Sequence, residues 1–191
     1  QTLALYLFWE LTSVFSFLLI GFQFDKQASR RAAMQAFIVT TAGGLAMLAG
    51  LITLGNIPGG SYVISELVAS ASSGTLGVAA IGAESTPHAV IVVAVAAVLI
   101  GAMAKSAIIP FHFWLPAAMA APTPTSAYLH AAAMVKAGVY LVARLAPGFS
   151  DLAAWRYMIL AGGIATLVLG GYRALKQYDL KLVLAFGTVS Q

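Results

Sequence analysis

The sequence contains no cysteine and very little charge, and both absences limit what the protein can be. Without cysteine it forms no disulfide and no thiolate metal site. Only 8% of its 191 residues are charged, whereas soluble domains average about 25%. A soluble chain of this size would lack the charged side chains needed to cover its surface.

Motifs for several common chemistries are also missing. The sequence has no glycine-rich loop that cradles a phosphate, no cluster of metal ligands and no nucleophile–base pattern. We therefore expect no enzyme of the soluble type, no cofactor and no bound metal. The net charge of +4 does not indicate nucleic-acid binding, because the basic residues lie in short polar segments between apolar runs.

Apolar residues make up 61% of the chain and form long runs. A helix needs about 20 such residues to cross a membrane, so the runs predict an all-α, multi-pass bundle of transmembrane helices. We predict about six spans in a single transmembrane domain, 1–191. Their predicted ranges are 2–22, 33–54, 88–119 (broken), 125–145, 155–172 and 179–191 (truncated). Both ends of the chain lie inside apolar runs, so we expect a fragment of a longer polypeptide.

A cluster of prolines predicts that the third span is broken. The cluster comprises Pro110, Pro116, Pro122 and Pro124. Proline removes a backbone donor and clashes with the preceding turn, so we expect an interruption near Pro110 and a short helix over about 111–119. A broken helix is tolerated in a membrane only where the freed backbone groups line a cavity or are buried in protein.

The distribution of Lys and Arg predicts the orientation. Most of them lie in one set of loops: Lys26, Arg30, Arg31, Arg173, Lys176 and Lys181. The other set holds Arg144 and Arg156 together with most of the acidic residues outside the spans. Because cytoplasmic loops carry the excess of basic residues, the first set is predicted to be cytoplasmic and the N-terminal end to lie outside.

Lys105 is the most informative residue, because it lies in an apolar run with no charge around it. A lysine at the centre of an inserted helix costs about 2.5–3.5 kcal/mol, so such residues usually serve an ion or proton path. Glu10, in the first predicted span, is the candidate partner; an opposite charge within about 4–6 Å favours the charged form. The distance between acid and base would then set whether Lys105 holds its proton. Two alternatives stay open: a snorkelling Lys105, and a Glu10 that is structural or near the membrane surface.

His130 and Lys136 lie together in the fourth predicted span. A lone histidine on an apolar face is more often a satisfied core residue, but histidine can accept and donate a proton near neutral pH, and the nearby lysine favours a relay. Their spacing is about 600° of helical rotation, so they do not share one face of a straight helix. His112 follows the predicted break and is a candidate group for proton uptake from the cytoplasm.

Several segments resemble the antiporter-like subunit family, which includes the Mrp cation/proton antiporters and the proton-pumping membrane arm of respiratory complex I. They are 9–13 (WELTS), 105–116 (KSAIIPFHFWLP), 121–130 (APTPTSAYLH), 134–141 (MVKAGVYL) and the tail from Asp179. Within the family the sequence is most similar to the Mrp A-type subunits. The similarity to that type is carried by 112–114, 126–130 and the lysine at 136.

This resemblance implies a function and a set of site residues. Glu10 and Lys105 match the family's glutamate–lysine pair, and His130 and Lys136 match its bridging residues. The fold would be part of a larger inverted repeat with a broken helix. The function implied is that of an ion-translocating subunit of a multi-subunit Na⁺/H⁺ antiporter in the cell membrane of a prokaryote. Its partners would be other membrane subunits, protons, sodium ions and the lipid bilayer.

Two departures and two alternatives accompany the resemblance. Ile108 stands where the family commonly has glutamine, and Ala117 where it commonly has aspartate, so two polar groups of the cytoplasmic uptake route are missing. The first alternative is a proton-pumping subunit of a complex I-type NADH–quinone oxidoreductase, which would make the chain part of an enzyme. The second is a structural membrane subunit without its own ion path.

Overall fold

The computed structural model describes residues 1–78, 87–127 and 134–191, and its regular structure there is helical. The longer helices are α1 (Thr2–Ile20), α2 (Gln27–Asn56), α3 (Ile64–Ser72) and α4 (His88–Lys105) in the first part. Beyond α4 come α5 (Trp114–Ala117), α6 (Thr123–Ala127), α7 (Met134–Phe149), α8 (Ala153–Leu175) and α9 (Leu180–Ser190). Short 3₁₀ turns, Phe111–Phe113 and Ala118–Ala120, flank α5.

Within the described residues, α1, α2, α4 and α8 are long and apolar enough to cross a membrane. The predicted class, an all-α multi-pass membrane protein, is therefore confirmed. The fourth predicted span, 125–145, corresponds to α6 and α7, with 128–133 between them outside the described residues. The sixth corresponds to α9, which has 11 residues and is short for a span. The number of spans thus stays a prediction.

Helix α2 begins earlier than the predicted span, at Gln27 rather than at 33. The Ser29 hydroxyl donates a 2.6 Å hydrogen bond to the Ile20 carbonyl and so fixes the start of α2 against the end of α1. Arg30 and Arg31 lie on the exposed side of this first turn. The polar residues before position 33 lie outside the apolar run but are still helical. The helix is therefore longer than the predicted span.

Helices α2 and α4 form the centre of the bundle because small residues let their backbones meet. A Cβ atom added to Gly43 would lie 2.4 Å from the Cβ of Ala104, and one added to Gly101 would lie 2.5 Å from the Cβ of Met47. Apolar side chains between these helices, including Leu51, are buried. Close packing of small residues is a common source of helix association in lipid.

The helix break predicted near Pro110 is confirmed, but α4 ends five residues earlier, at Lys105. A proline ring clashes with the carbonyl four residues before it, which for Pro110 belongs to Ser106, so the helix ends ahead of the proline. Ala107 then adopts a φ of 54° and is fully buried. Non-glycine residues rarely adopt this conformation, and it persists only where the surroundings fix it.

Side chains from other elements satisfy the backbone groups that the break releases. The Trp114 indole N–H donates to the Ala104 carbonyl at 3.0 Å, and Thr166 on α8 accepts from the Ile109 N–H at 3.0 Å. The Ser106 hydroxyl donates to the Val135 carbonyl on α7 at 2.8 Å. The start of the break, at Ser106 and Ala107, is therefore buried in protein, and protein groups satisfy its freed backbone, as a broken helix in a membrane requires.

Candidate functional site

Lys105, the last residue of α4, is fully buried. Its ammonium donates two hydrogen bonds to α1, one to the Trp9 carbonyl and one to the Ser13 hydroxyl, both at 2.7 Å. It also lies 5.2 Å from the centroid of the Trp9 ring, within the range of a cation–π interaction. A buried charge needs such partners. Lys105 therefore does not snorkel to the interface.

The sequence of α1 explains why these partners face α4. The buried positions Trp9, Ser13, Ser16 and Ile20 recur every three or four residues and form one stripe of the helix. The Ser13 hydroxyl itself donates to the Trp9 carbonyl at 3.3 Å, so it accepts from Lys105 while its own proton is used. The lysine thus joins an existing hydrogen-bonded turn of α1.

Glu10 lies next to Trp9 in sequence, and its carboxyl group packs against α2. Its Oε1 atom is buried and lies against Gly44. Neither hydrogen bond of Lys105 reaches it. The predicted pairing of Glu10 with Lys105 is thus not made by a direct hydrogen bond in this conformation, because the ammonium is bonded to Trp9 and Ser13 and adjacent residues of a helix point in different directions.

Two further polar atoms in this region are buried. They are Nε1 of Trp9 and Oγ1 of Thr41, which lies one turn before Gly44 on α2. The region between α1 and α2 around Glu10 thus groups an ionisable side chain with two buried polar atoms.

Lys136 on α7 is exposed among the described residues. It lines a cavity of about 510 Å³ together with Lys181, Ser126, Thr188 and other residues. The Lys181 ammonium donates to the carbonyl of Ala121 at 3.0 Å, so a second cation borders the same cavity. The hydrogen bond from Ser106 to the Val135 carbonyl links the end of α4 to α7. Ser106 follows Lys105 in the sequence, and Val135 precedes Lys136. His130, the other predicted bridging residue, lies outside the described residues.

His112 lies in the 3₁₀ turn after the break, outside the four long apolar helices. Its Nε2 is 3.1 Å from Nη1 of Arg173, at the end of α8. A guanidinium group only donates, so Nε2 accepts and the ring is neutral with its proton on Nδ1. Burial, and then the positive charge of Arg173, lower the pKa of His112 below its ordinary value. The structure thus places a neutral imidazole at the end of the bundle that the basic residues predict to be cytoplasmic.

Comparison with known families decides where the chain belongs. A family model described as "NADH:quinone oxidoreductase/Mrp antiporter, TM" matches residues 1–191. The chain belongs to this family. The resemblance carried by the segments around Glu10, Lys105 and Lys136 is thereby confirmed.

Curated members of the NADH:quinone oxidoreductase/Mrp antiporter family include similar proteins named as antiporter subunits. The A1 subunit of a Na⁺/H⁺ antiporter from Staphylococcus saprophyticus is 51% identical over 187 residues, which are 98% of this chain and 22% of that protein. The A subunit of a Na⁺/H⁺ antiporter from Bacillus subtilis is 46% identical over 191 residues, 100% of this chain and 22% of that protein. The chain thus spans about a fifth of the length of these relatives, 22% in both cases.

Solved structures of two membrane complexes show the same fold. A chain in the structure of the Mrp complex from Dietzia sp. DQ12-45-1b matches with a TM-score of 0.86 and 36% identity, covering 100% of this chain and 20% of that one. A chain of the membrane-bound sulfane sulfur reductase, an archaeal respiratory membrane complex, matches with a TM-score of 0.80 and 23% identity. That second match covers 97% of this chain and 36% of the other chain, and shows the fold alone.

Proposed function

We propose that this chain is the part of an A-type subunit of a multi-subunit Na⁺/H⁺ antiporter that carries a proton-translocation site. The observation that carries the proposal is the fully buried Lys105 at a broken helix, held by α1 without a bonded acid. The names of the similar proteins from Staphylococcus saprophyticus and Bacillus subtilis support antiport as the activity. On this proposal the chain belongs to a transporter and its partners are other membrane subunits, protons and sodium ions.

The geometry supports a switch between two states of Lys105. In the observed state the ammonium is stabilised by the Trp9 carbonyl and the Ser13 hydroxyl, while the Glu10 carboxyl lies against α2. A movement of the carboxyl towards Lys105 would strengthen the hold on its proton, and a movement away would favour release. The proton then passes towards Lys136 across the contact between α4 and α7, with His130 as the second bridging group.

Proton uptake is proposed to begin at His112. The ring is neutral and adjoins the end of α8, where Arg173 and Lys176 lie. This end also holds Lys181 near the carbonyls of Met119 and Ala121. The clustering of basic residues supports the predicted orientation, with this end in the cytoplasm and the N-terminal end of the chain outside.

The two alternatives have weaker support. The description of the family covers NADH:quinone oxidoreductase subunits as well, but the similar curated proteins are named antiporter subunits. A purely structural subunit has no need of a lysine that is fully buried, because an apolar side chain of similar length would avoid the cost of its desolvation.

Substitution of Glu10 by glutamine tests the proposal. The change keeps the shape and removes the charge, so the acid can no longer influence the protonation of Lys105. In membrane vesicles that contain the complete complex, we expect sodium-dependent proton transport to fall about 100-fold, with normal assembly. Thr53→Val, at a partly exposed position of α2, serves as the control. Transport at the wild-type rate in the Glu10→Gln complex would favour the structural alternative.

Removal of the Arg173 charge tests the uptake role of His112. Arg173 lowers the pKa of His112, so Arg173→Gln is expected to raise it. Because a protonated imidazole accepts no further proton, the acid limb of the antiport pH profile should move to higher pH. Lys176→Gln is the control: it removes a charge from the same end of α8, but the Lys176 ammonium lies over the Tyr172 ring and not beside His112. It should therefore shift the acid limb less. Equal shifts in the two variants would count against His112.

A further inference from the structure

We infer that Gly44 is a positioning residue for Glu10: the lack of a side chain at Gly44 forms a notch in α2 that seats the Glu10 carboxyl group against α2, without a hydrogen bond to Lys105. This inference deepens the proposed function and rests on it. A Cβ atom added to Gly44 would lie 2.0 Å from Oε1 of Glu10 and 3.2 Å from its Cδ. The first distance is far below any contact that carbon and oxygen tolerate. The observed position of the carboxyl group therefore requires glycine.

The other glycines in this part of α2 have a different role. A Cβ atom added to Gly43 would meet Ala104, and one added to Gly50 would meet the carbonyl of Ala94 at 2.4 Å. Both neighbours belong to α4 and are rigid, so these glycines permit the close approach of the two helices. The neighbour of Gly44 is the mobile end of an ionisable side chain on α1. An alanine at 44 should therefore move Glu10 rather than disrupt the packing of α2 against α4.

Other buried polar atoms lie beside the notch. Nε1 of Trp9, whose side chain is 4% exposed, and Oγ1 of Thr41 are buried, as is Oε1 of Glu10. The Trp9 carbonyl on the same turn holds Lys105 at 2.7 Å. The notch is the resting position of the Glu10 carboxyl group, and the switch proposed above moves it from there towards Lys105.

Gly44→Ala in the complete complex tests the inference. A displacement of about 1 Å in a reacting group can cost up to about 100-fold in rate, so we expect antiport to fall about 10- to 100-fold while assembly stays normal. Glu10→Asp shortens the side chain by one methylene. Combined with Gly44→Ala it should restore antiport above that of either single variant, because the shorter acid avoids the added methyl group. Such non-additivity is expected of residues that touch or share a network, and not of distant, independent positions.

Two glycines provide matched controls. Gly43→Ala meets rigid atoms of α4 and is expected to lower assembly of the complex, with no rescue by Glu10→Asp. Gly163→Ala on α8 meets nothing within 4 Å and should leave antiport and assembly unchanged. Loss of assembly in Gly44→Ala equal to that in Gly43→Ala, or absence of rescue by Glu10→Asp, would overturn the inference.

A readout independent of transport separates this inference from the proposed function. The rate at which a hydrophobic carbodiimide modifies Glu10, measured by mass spectrometry of the peptide that contains it, reports the surroundings of the carboxyl group. We expect Gly44→Ala to change this rate severalfold and Gly163→Ala to leave it unchanged. A changed rate with undiminished antiport would support the notch and contradict the proposed function. An unchanged rate would contradict the notch, whatever the transport result.

Discussion

Replacement of Lys105 by alanine is expected to abolish sodium-dependent proton transport by the complete antiporter complex. The substitution removes the only ionisable group that the described structure buries completely, and with it the bonds to Trp9 and Ser13. No neighbouring side chain among the described residues takes over, because the Glu10 carboxyl group lies on the side of α2. Transport should be measured as the sodium-induced collapse of a pH gradient across vesicles.

Two further variants separate chemistry from packing at this position. Lys105→Met keeps the length of the side chain and should also lose transport, with assembly at the wild-type level. Ser13→Ala removes one of the two hydrogen bonds of the ammonium and should reduce transport less, by about 10-fold. Antiport that persists in both Lys105 variants, in complexes that assemble normally, would refute a translocating role.

Replacement of Trp114 by alanine should cause the largest loss of stability among single substitutions near the site. Trp114 is fully buried, and its indole N–H satisfies the Ala104 carbonyl that the break in α4 releases. Loss of a buried tryptophan side chain costs about 3–5 kcal/mol. The thermal stability of the purified complex should fall accordingly, and the position of Lys105, next to Ala104, should be disturbed.

The more conservative Trp114→Phe isolates the hydrogen bond. It retains most of the apolar contact and leaves the carbonyl unsatisfied, at a cost of about 1–3 kcal/mol. The adjacent Phe113→Ala is the control, since Phe113 is 44% exposed and lies at the surface of the described chain. A Phe113→Ala complex as unstable as the Trp114→Ala complex would show that the break is not held by the indole.

The class of fold and the importance of Lys105 were predictable because both depend only on the order of apolar and charged residues along the chain. Apolar runs of membrane length leave few folds available, and a lysine inside such a run is costly wherever its helix packs. The break in α4 was also predictable, since proline acts on its own helix. Only its position differed, because the steric effect of Pro110 extends back to Ser106.

The partners of these residues were not predictable in the same way. The Trp9 carbonyl that binds Lys105 carries no signal in the sequence, because every residue has a carbonyl. Glu10, the acid predicted to pair with Lys105, packs against α2 instead. Lys136 lines a cavity that it shares with Lys181, an arrangement that the sequence does not reveal. Each outcome depends on helix rotation and on which helices become neighbours.

Composition and motifs were sufficient to place the chain among all-α membrane proteins of the NADH:quinone oxidoreductase/Mrp antiporter family, with a costly charge beside a broken helix. Helix packing was needed to show that α1 binds Lys105 through Trp9 and Ser13, and that Gly44 rather than Gly43 faces Glu10. The physical reason is that hydropathy and proline act locally, whereas neighbouring residues of a helix point about 100° apart. Which of them meets a given partner is settled only when the helices pack.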